Sequence, residues 1–421
     1  MKCINCGTDN KLKDRTANQG RCIKCNHPFA FEPTSMSNVQ ITDPFFAKAI
    51  ADISANNTLF FTPKQLLYFL DNRFRKNSKS ISRFGWLIPF LVINFITSLT
   101  IFIPLIVNLA FINFFHESSK STKLNLVSRK QYARNLQIIG GIILSIGILL
   151  SLGSKSFRFF VVVVLIGMLP IYLGTRQLER IKLLTQEFLI SESQLKDWLN
   201  RWQQINGSIL KILPSPKQEN TPATINPDVT AYSFDRLVVC DTASIAQLLI
   251  ANNFHFENNC AILSITGYPQ SIFDTTMQML RRNPDLKVYA VHDCNPRGIA
   301  LVHNLITNAN WFLNSEIVII DIGLTPRQII ATKRGMFIQS SPESAQAAKQ
   351  LPEEIRQSLS AEELAWLESG KFVELESFTP QRIIKVLQTG IAGSQNLESD
   401  DSSLLLVGDT GNDMYVVQSF G

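Results

Sequence analysis

Lys287-Val-Tyr-Ala-Val-His-Asp-Cys-Asn-Pro-Arg-Gly298 carries the strongest structural signal in the chain. The apolar run before His292 is continuous, and Asn295-Pro296 breaks it. Such a run predicts a strand buried on both faces, followed by a capped helix start. Upstream, Arg236-Leu-Val-Val-Cys-Asp241 and Cys260-Ala-Ile-Leu-Ser-Ile265 read the same way, the second ending at Thr266-Gly-Tyr-Pro269. Downstream, Glu316-Ile-Val-Ile-Ile320 ends at Asp321-Ile-Gly-Leu-Thr-Pro-Arg327. Helical stretches at Ser244 to Asn252, Ser271 to Arg282 and up to Thr307 separate the strands. Strand and helix alternate, so the C-terminal region is an α/β domain, a Rossmannoid parallel sheet with helices on both faces.

Ligands of such sheets sit beyond the carboxyl ends of the strands. Asp241, Asp293, Asn295 and Asp321 fall there, and converging carboxylates suit a hard divalent cation. Taken singly, each is more often a helix cap or a turn residue.

The order of motifs resembles the Toprim domain found in the A subunit of topoisomerase VI and in the related meiotic endonuclease, over about 235–390. Asp241 stands at the acidic position after the first strand, where Glu is usual. Gly267-Tyr-Pro269 matches a Gly-x-Pro turn, and Asp293-Cys-Asn-Pro-Arg-Gly298 matches an Asp-x-Asp-Pro-x-Gly signature. Gly323-Leu-Thr-Pro326 and Glu374-Leu-Glu-Ser-Phe-Thr-Pro380 match two later elements. The resemblance implies Mg2+ held by Asp241, Asp293 and Asn295 for cutting or joining DNA strands. Two departures stand against that. Asn295 replaces the second Asp, removing one charge. The family's strand-cleaving Tyr sits in a separate helical domain, for which the span before residue 230 has no room. His292, Cys294 and Cys240 flank the carboxylates, but no spacing motif makes them a nucleophile or a soft-metal set. Alternation along the strand buries Cys240 as a small hydrophobe.

At the N-terminus, Cys3-x2-Cys6-x15-Cys22-x2-Cys25 has the spacing of a four-cysteine zinc ribbon. Each knuckle aims two thiolates at one ion, and a closed set of four is structural. No secretory leader precedes Cys3, and three further cysteines stand apart, which favours zinc over two disulfides. His27 reads as a bystander.

Apolar residues concentrate in the middle of the chain. Phe84 to Phe115, Asn135 to Ser154 and Phe159 to Thr175 contain no charge. Counted naively they make three membrane spans. Splitting the first near Thr97-Ser-Leu-Thr100, with the last two turning at Lys155 to Arg158, gives four. Four crossings put both soluble parts, and the basic residues Arg73, Arg75, Lys76, Lys79 and Arg83, in the cytoplasm. The spans lack the ionisable residues that proton relays and ion pathways usually need, which disfavours a transporter or pump and favours an anchor. Charge follows the same division. Residues 1–232 carry 27 Lys and Arg against 13 Asp and Glu, and residues 233–421 carry 13 against 21. An acidic C-terminal half disfavours a long phosphate-binding groove.

The expected organisation is multidomain. It comprises a zinc ribbon at 1–35, a helical juxtamembrane segment at 36–83 and transmembrane helical hairpins at 84–175. An amphipathic helix at 176–212 and a Pro-rich linker at 213–231 follow. The Toprim-like α/β domain spans 232–395, and an acidic loop with a terminal hairpin spans 396–421. In the juxtamembrane segment, Asp43-Pro44 and Thr62-Pro63 read as helix caps. Near the C-terminus, Leu364 and Trp366 read as core, and Glu353, Glu354, Glu362 and Glu363 as a solvated face. Three functions stay open. The first is a membrane-anchored binding or regulatory protein with zinc and a non-cleaving Toprim-like domain. The second is an Mg2+-dependent phosphotransfer or nuclease enzyme using Asp241 and Asp293. The third is a protein-interaction scaffold. Expected partners are membrane lipid and a protein, with nucleic acid or nucleotide not favoured.

Overall fold

The computed structural model describes residues 1–36, 39–77, 85–97, 102–121, 126–154, 157–183, 185–216, 235–280, 286–313, 317–331, 336–394, 404–410 and 413–419, with residues 124, 283 and 315 between them. The linker prolines Pro222 and Pro227, the split at 98–101, the turn residues 155–156, Lys79 and Arg83, and most of the acidic loop lie outside them.

Described residues fall into two compact units, one of 1–70 with 186–421 and one of 71–185. The first is built on four parallel strands: β1 (Arg236–Cys240), β2 (Cys260–Ser264), β3 (Lys287–Val291) and β4 (Val318–Asp321). Their order is β2-β1-β3-β4, with Cys240 level with Ser264 and with Val291. β1 sits inside the sheet, so Leu237 to Cys240 are buried whichever way they point. Val238, Cys240, Ile262, Tyr289 and Val291 enter one core layer. That layer packs on α9 (Ala243–Ala251), through Ile245 and Leu249, and on α18 (Pro380–Ser394), through Ile383 and Leu387. Leu237, Val239, Leu263, Val288 and Ala290 enter the opposite layer. They meet α11 (Gln270–Leu280), α13 (Leu301–Thr307), Trp311 and Phe312. The two-residue period of a strand thus sorts the side chains between two helical layers.

The remaining elements of this part are short. They are α10 (Phe254–Glu257), α12 (Pro296–Ile299), α14 (Pro326–Ala331), α15 (Pro342–Lys349), α16 (Glu353–Ser358) and α17 (Ala361–Glu368). A two-stranded ladder joins β5 (Gln339–Ser340) to β6 (Lys371–Phe372), and a terminal hairpin joins β7 (Leu404–Thr410) to β8 (Asp413–Ser419). Glu363 departs from the solvated face expected of it. It is buried, accepts from the Ser360 N–H and lies 3.6 Å from Arg327 Nε. Leu367, rather than Leu364, is the fully buried residue of α17.

The N-terminal segment belongs to the same unit. α1 (Leu12–Ala17) lies between the cysteine pairs, and α2 (Asp43–Ile53) follows. Asp43 does not cap α2. Thr42 does, accepting from the Phe45 N–H, while the buried Asp43 carboxylate accepts from the Ala30 and Phe31 N–H groups. α3 (Pro63–Asn77) starts as the sequence suggests, with Thr62 Oγ1 accepting from the Gln65 N–H. The expected amphipathic helix at 176–212 is interrupted. One helix ends at Leu183, and α8 (Glu192–Asn206) is separate. Its apolar side is covered within the chain, with Leu195, Trp198, Leu199 and Trp202 buried. Trp198 and Trp202 pack on Phe31, with ring centroids 6.2 and 6.1 Å away, and Trp202 lies 5.1 Å from Phe46. His27 Nε2 sits 3.0 Å from Asn206 Oδ1, so it holds the cysteine segment to α8.

The second unit contains α4 (Leu87–Thr97), α5 (Phe102–Lys120), α6 (Leu126–Ser154) and α7 (Phe157–Leu183). α6 and α7 pack closely because glycines meet side chains. A Cβ at Gly147 would lie 2.2 Å from Val163 Cγ1, and one at Gly167 would lie 2.6 Å from Leu144 Cγ. Trp86, Phe90, Phe115, Tyr132 and Leu136 form a core, yet Ile88, Leu149 and Leu165 stay largely exposed. Among the described residues, one helical segment, Ser128–Gly153, is long and apolar enough to cross a membrane, with a mean hydropathy of 2.2 over its most apolar 18 residues.

Candidate functional site

The four predicted cysteine ligands come together. Cys3 Sγ lies 3.6 Å from Cys25 Sγ and Cys6 Sγ lies 3.5 Å from Cys22 Sγ, and all four sulfurs are within 4.8 Å of one another. A disulfide needs about 2.05 Å. A tetrahedron with metal–sulfur bonds of about 2.3 Å has edges of about 3.8 Å, so the set fits one tetrahedral ion. Each knuckle is shaped by its own backbone: Gly7 N–H donates to Cys3 O, and Asn26 N–H donates to Cys22 O.

The second candidate lies at the carboxyl ends of β1 and β3. Asp241 Oδ2 accepts from the Asp293 N–H at 2.8 Å. Asp293 Oδ1 accepts from the Leu375 N–H at 2.7 Å. Cys294 and Val373 exchange two backbone hydrogen bonds, which lash residues 373–376 to the end of β3. Glu374 and Glu376 are thereby brought to the two aspartates, and their charges act on Asp293 together with that of Asp241. Asn295 does not join them. Its Oδ1 accepts from the Gly298 N–H at 2.8 Å and caps α12. The glycine is fixed by space, because a Cβ there would lie 2.2 Å from Asp293 O.

Asp321 takes a different role. Its Oδ1 accepts from the Gly323 N–H and lies 3.0 Å from His292 Nε2, while His292 Nδ1 donates to Asp293 O at 2.8 Å. Burial of His292 opposes its charge, but Asp321 and the Asp293 carbonyl outweigh it and push its pKa up to about 9. The imidazole is thus a buried cation beside the carboxylates. Cys240, Cys260 and Cys294 are fully buried, and burial pushes their thiols up, which is the behaviour of core residues.

Helix α3 completes the site from outside the sheet. Thr62 Oγ1 donates to Glu376 Oε1 at 2.7 Å, and Lys64 Nζ donates to Glu374 Oε1 at 2.7 Å. The Tyr68 hydroxyl donates to Glu374 Oε2 at 2.6 Å. Phe188 and Phe337 pack on Tyr68 with centroids 4.9 and 5.0 Å away. Sequence reasoning missed these residues as site members. Glu374 and Glu376 stood in a flagged element without a role, and nothing links Lys64 to a glutamate 310 positions away.

Burial raises the carboxyls of Asp241 and Glu376 above their ordinary value. Asp293 is pushed well above its own, by burial first and then by Asp241. The Mg2+ that the resemblance implies would meet a donor set that is already engaged within the chain. One oxygen each of Asp241 and Asp293 is taken by a backbone N–H, Asn295 is a cap, and Lys64 and Tyr68 hold both oxygens of Glu374. Among the described residues, the cysteines are the one group of three or more His, Cys, Asp or Glu whose ligand atoms gather within 4.8 Å. Asp241 Oδ1 is left buried without a hydrogen-bond partner.

No curated protein matches the chain. Residues 236–395, which contain the sheet and every carboxylate of this site, match the family model for the Toprim domain shared by Spo11 and the A-type chain of topoisomerase 6.

Proposed function

We propose that the chain is a non-cleaving binding and regulatory protein. In this reading it presents a zinc ribbon and a divergent Toprim-like domain at the cytoplasmic face of a membrane. The observation that carries it is the internal use of the signature carboxylates. Asp241, Asp293 and Asn295 each tie down a backbone N–H of the same chain, as structural residues do. The acidic charge of residues 233–421 also disfavours a DNA phosphate track. The exposed apolar side chains of α4 to α7 and the hydropathy of Ser128–Gly153 support anchoring in a bilayer. The sulfur geometry supports zinc at Cys3, Cys6, Cys22 and Cys25.

The orphan Asp241 Oδ1 favours one other reading, a metal-dependent enzyme using Asp241 and Asp293. Full-length protein purified in detergent separates the two. It is incubated with supercoiled and linear DNA in Mg2+ or Mn2+, beside Asp293→Ala. No strand cleavage or joining is expected from either. Activity in the wild type that Asp293→Ala abolishes would overturn the proposal. A reporter fused after Gly421 tests the topology, and an exported signal would contradict the cytoplasmic placement.

A further inference from the structure

We propose that Lys64 is a tethered cation that closes the acidic face to divalent metal. The inference rests on the non-cleaving reading above and says what keeps the site closed. Four carboxylates, Asp241, Asp293, Glu374 and Glu376, share one largely buried place, and the charges of the other three act on Asp293. Such a group repels itself unless it takes up protons or a positive charge. In this chain positive charge comes from side chains, His292 beside the aspartates and Lys64 beside the glutamates. Lys64 Nζ reaches Glu374 Oε1 at 2.7 Å, and the side chains are 33% and 17% exposed.

The seat is built rather than incidental. Within the first two turns of α3 and its cap, Thr62 bonds Glu376, Lys64 bonds Glu374, Gln65 Nε2 donates to Phe378 O and Tyr68 bonds Glu374. Residues 62, 65 and 68 share one helical face, so α3 reads both glutamates and the backbone beyond them in one docking. The packing of Tyr68 against the stacked pair of Phe188 and Phe337 fixes the register. Glu374 and Glu376 also hold the ammonium charged, against the opposing effect of burial. The unpartnered Asp241 Oδ1 shows that the aspartate end still offers a free oxygen. What the face lacks for a divalent ion is therefore a free oxygen on Glu374: Tyr68 holds Oε2, and Lys64 holds Oε1 with the only positive charge of the two.

The test is Mn2+ titration of zinc-loaded, full-length protein in detergent, read by electron paramagnetic resonance. Wild type is expected to show no saturable site up to millimolar Mn2+. Lys64→Met keeps the aliphatic stem and removes the charge, and is expected to gain one site at least tenfold tighter than any wild-type binding. Lys64→Arg is expected to stay closed, and Lys64→Met with Asp293→Asn to lose the gain. If folded Lys64→Met stays as silent as wild type, the tethered-cation proposal is overturned and the non-cleaving reading stands. If wild type itself binds Mn2+ and Asp293→Asn abolishes it, the non-cleaving reading fails and the proposal fails with it. Should Lys64→Met not fold, amine labelling of the wild type decides. Lys64 labelled at least tenfold more slowly than the exposed Lys196, with the rate restored in Glu374→Gln, supports the tether, and equal rates overturn it.

Discussion

Asp293 and Asp241 stand at the ends of adjacent parallel strands, and the Asp293 N–H donates to Asp241 Oδ2 at 2.8 Å. A carboxylate in that position pins the turn after β3, and the turn in turn delivers Asp293 Oδ1 to the Leu375 N–H. The two residues a metal enzyme would use thus form successive links of one structural chain.

Removing the first link is expected to destabilise the fold. Asp241→Ala leaves a buried N–H without an acceptor, at a cost of about 1–3 kcal/mol. Asp241→Asn keeps an acceptor oxygen, and because burial already raises the Asp241 carboxyl, it is expected to cost less. Urea unfolding followed through the sheet unit compares them. Equal losses would mean that the hydrogen bond is not what matters.

Gly323 is expected to tolerate no side chain. A Cβ there would lie 2.3 Å from His292 Cδ2, in a place where the imidazole is held at both nitrogens. Gly323→Ala should cost at least the roughly 1–3 kcal/mol of overpacking and weaken the His292–Asp321 contact. A melting temperature within a degree of wild type would contradict this.

The sheet was legible because strands buried on both faces are continuous apolar runs, as β1 to β3 are, and because the edge strand β4, although Val318 is exposed, is also an apolar run. The cysteine cluster was legible because its spacing encodes its geometry. Asn295 reads in sequence as either a cap or a ligand, and only in three dimensions is its Oδ1 seen to accept from the Gly298 N–H and cap α12. Trp198 and Trp202 show the same limit. Their helical spacing marks an apolar face, but nothing in it says that Phe31 and Phe46 cover that face. The pairing of α3 with Glu374 and Glu376 joins segments with no local signal in common.

Stability is expected to fall as pH rises from about 6.5 toward about 9. Folded His292 keeps its proton up to about 9, against an ordinary value of 6.5. Below 6.5 both states are protonated and the full stabilisation is present. Above it the unfolded chain loses the proton first, and the benefit is gone once pH passes the folded value. Burial raises the carboxyls of Asp241, Asp293 and Glu376, so each acts with the same sign, its contribution present below the ordinary carboxylate range and lost as pH rises through the folded value. Urea midpoints between pH 6 and 9 measure the slope, and His292→Gln is expected to flatten it. A slope unchanged in that variant would remove His292 from the account.

Metal removal is expected to reach the tryptophans of α8. Chelation or Cys22→Ser should release one zinc per chain and loosen Phe31, exposing Trp198 and Trp202 to water. Tryptophan emission should shift to the red in step with zinc loss. Zinc loss without a spectral shift would mean that the ribbon folds without its ion.

The internal use of the carboxylates is tested most directly by calorimetric titration of Mg2+ into zinc-loaded, full-length protein. The expected result is no saturable heat up to millimolar Mg2+, in wild type and in Asp293→Asn alike. One saturable site in the wild type, lost in Asp293→Asn, would contradict the account and make Asp241 and Asp293 metal ligands.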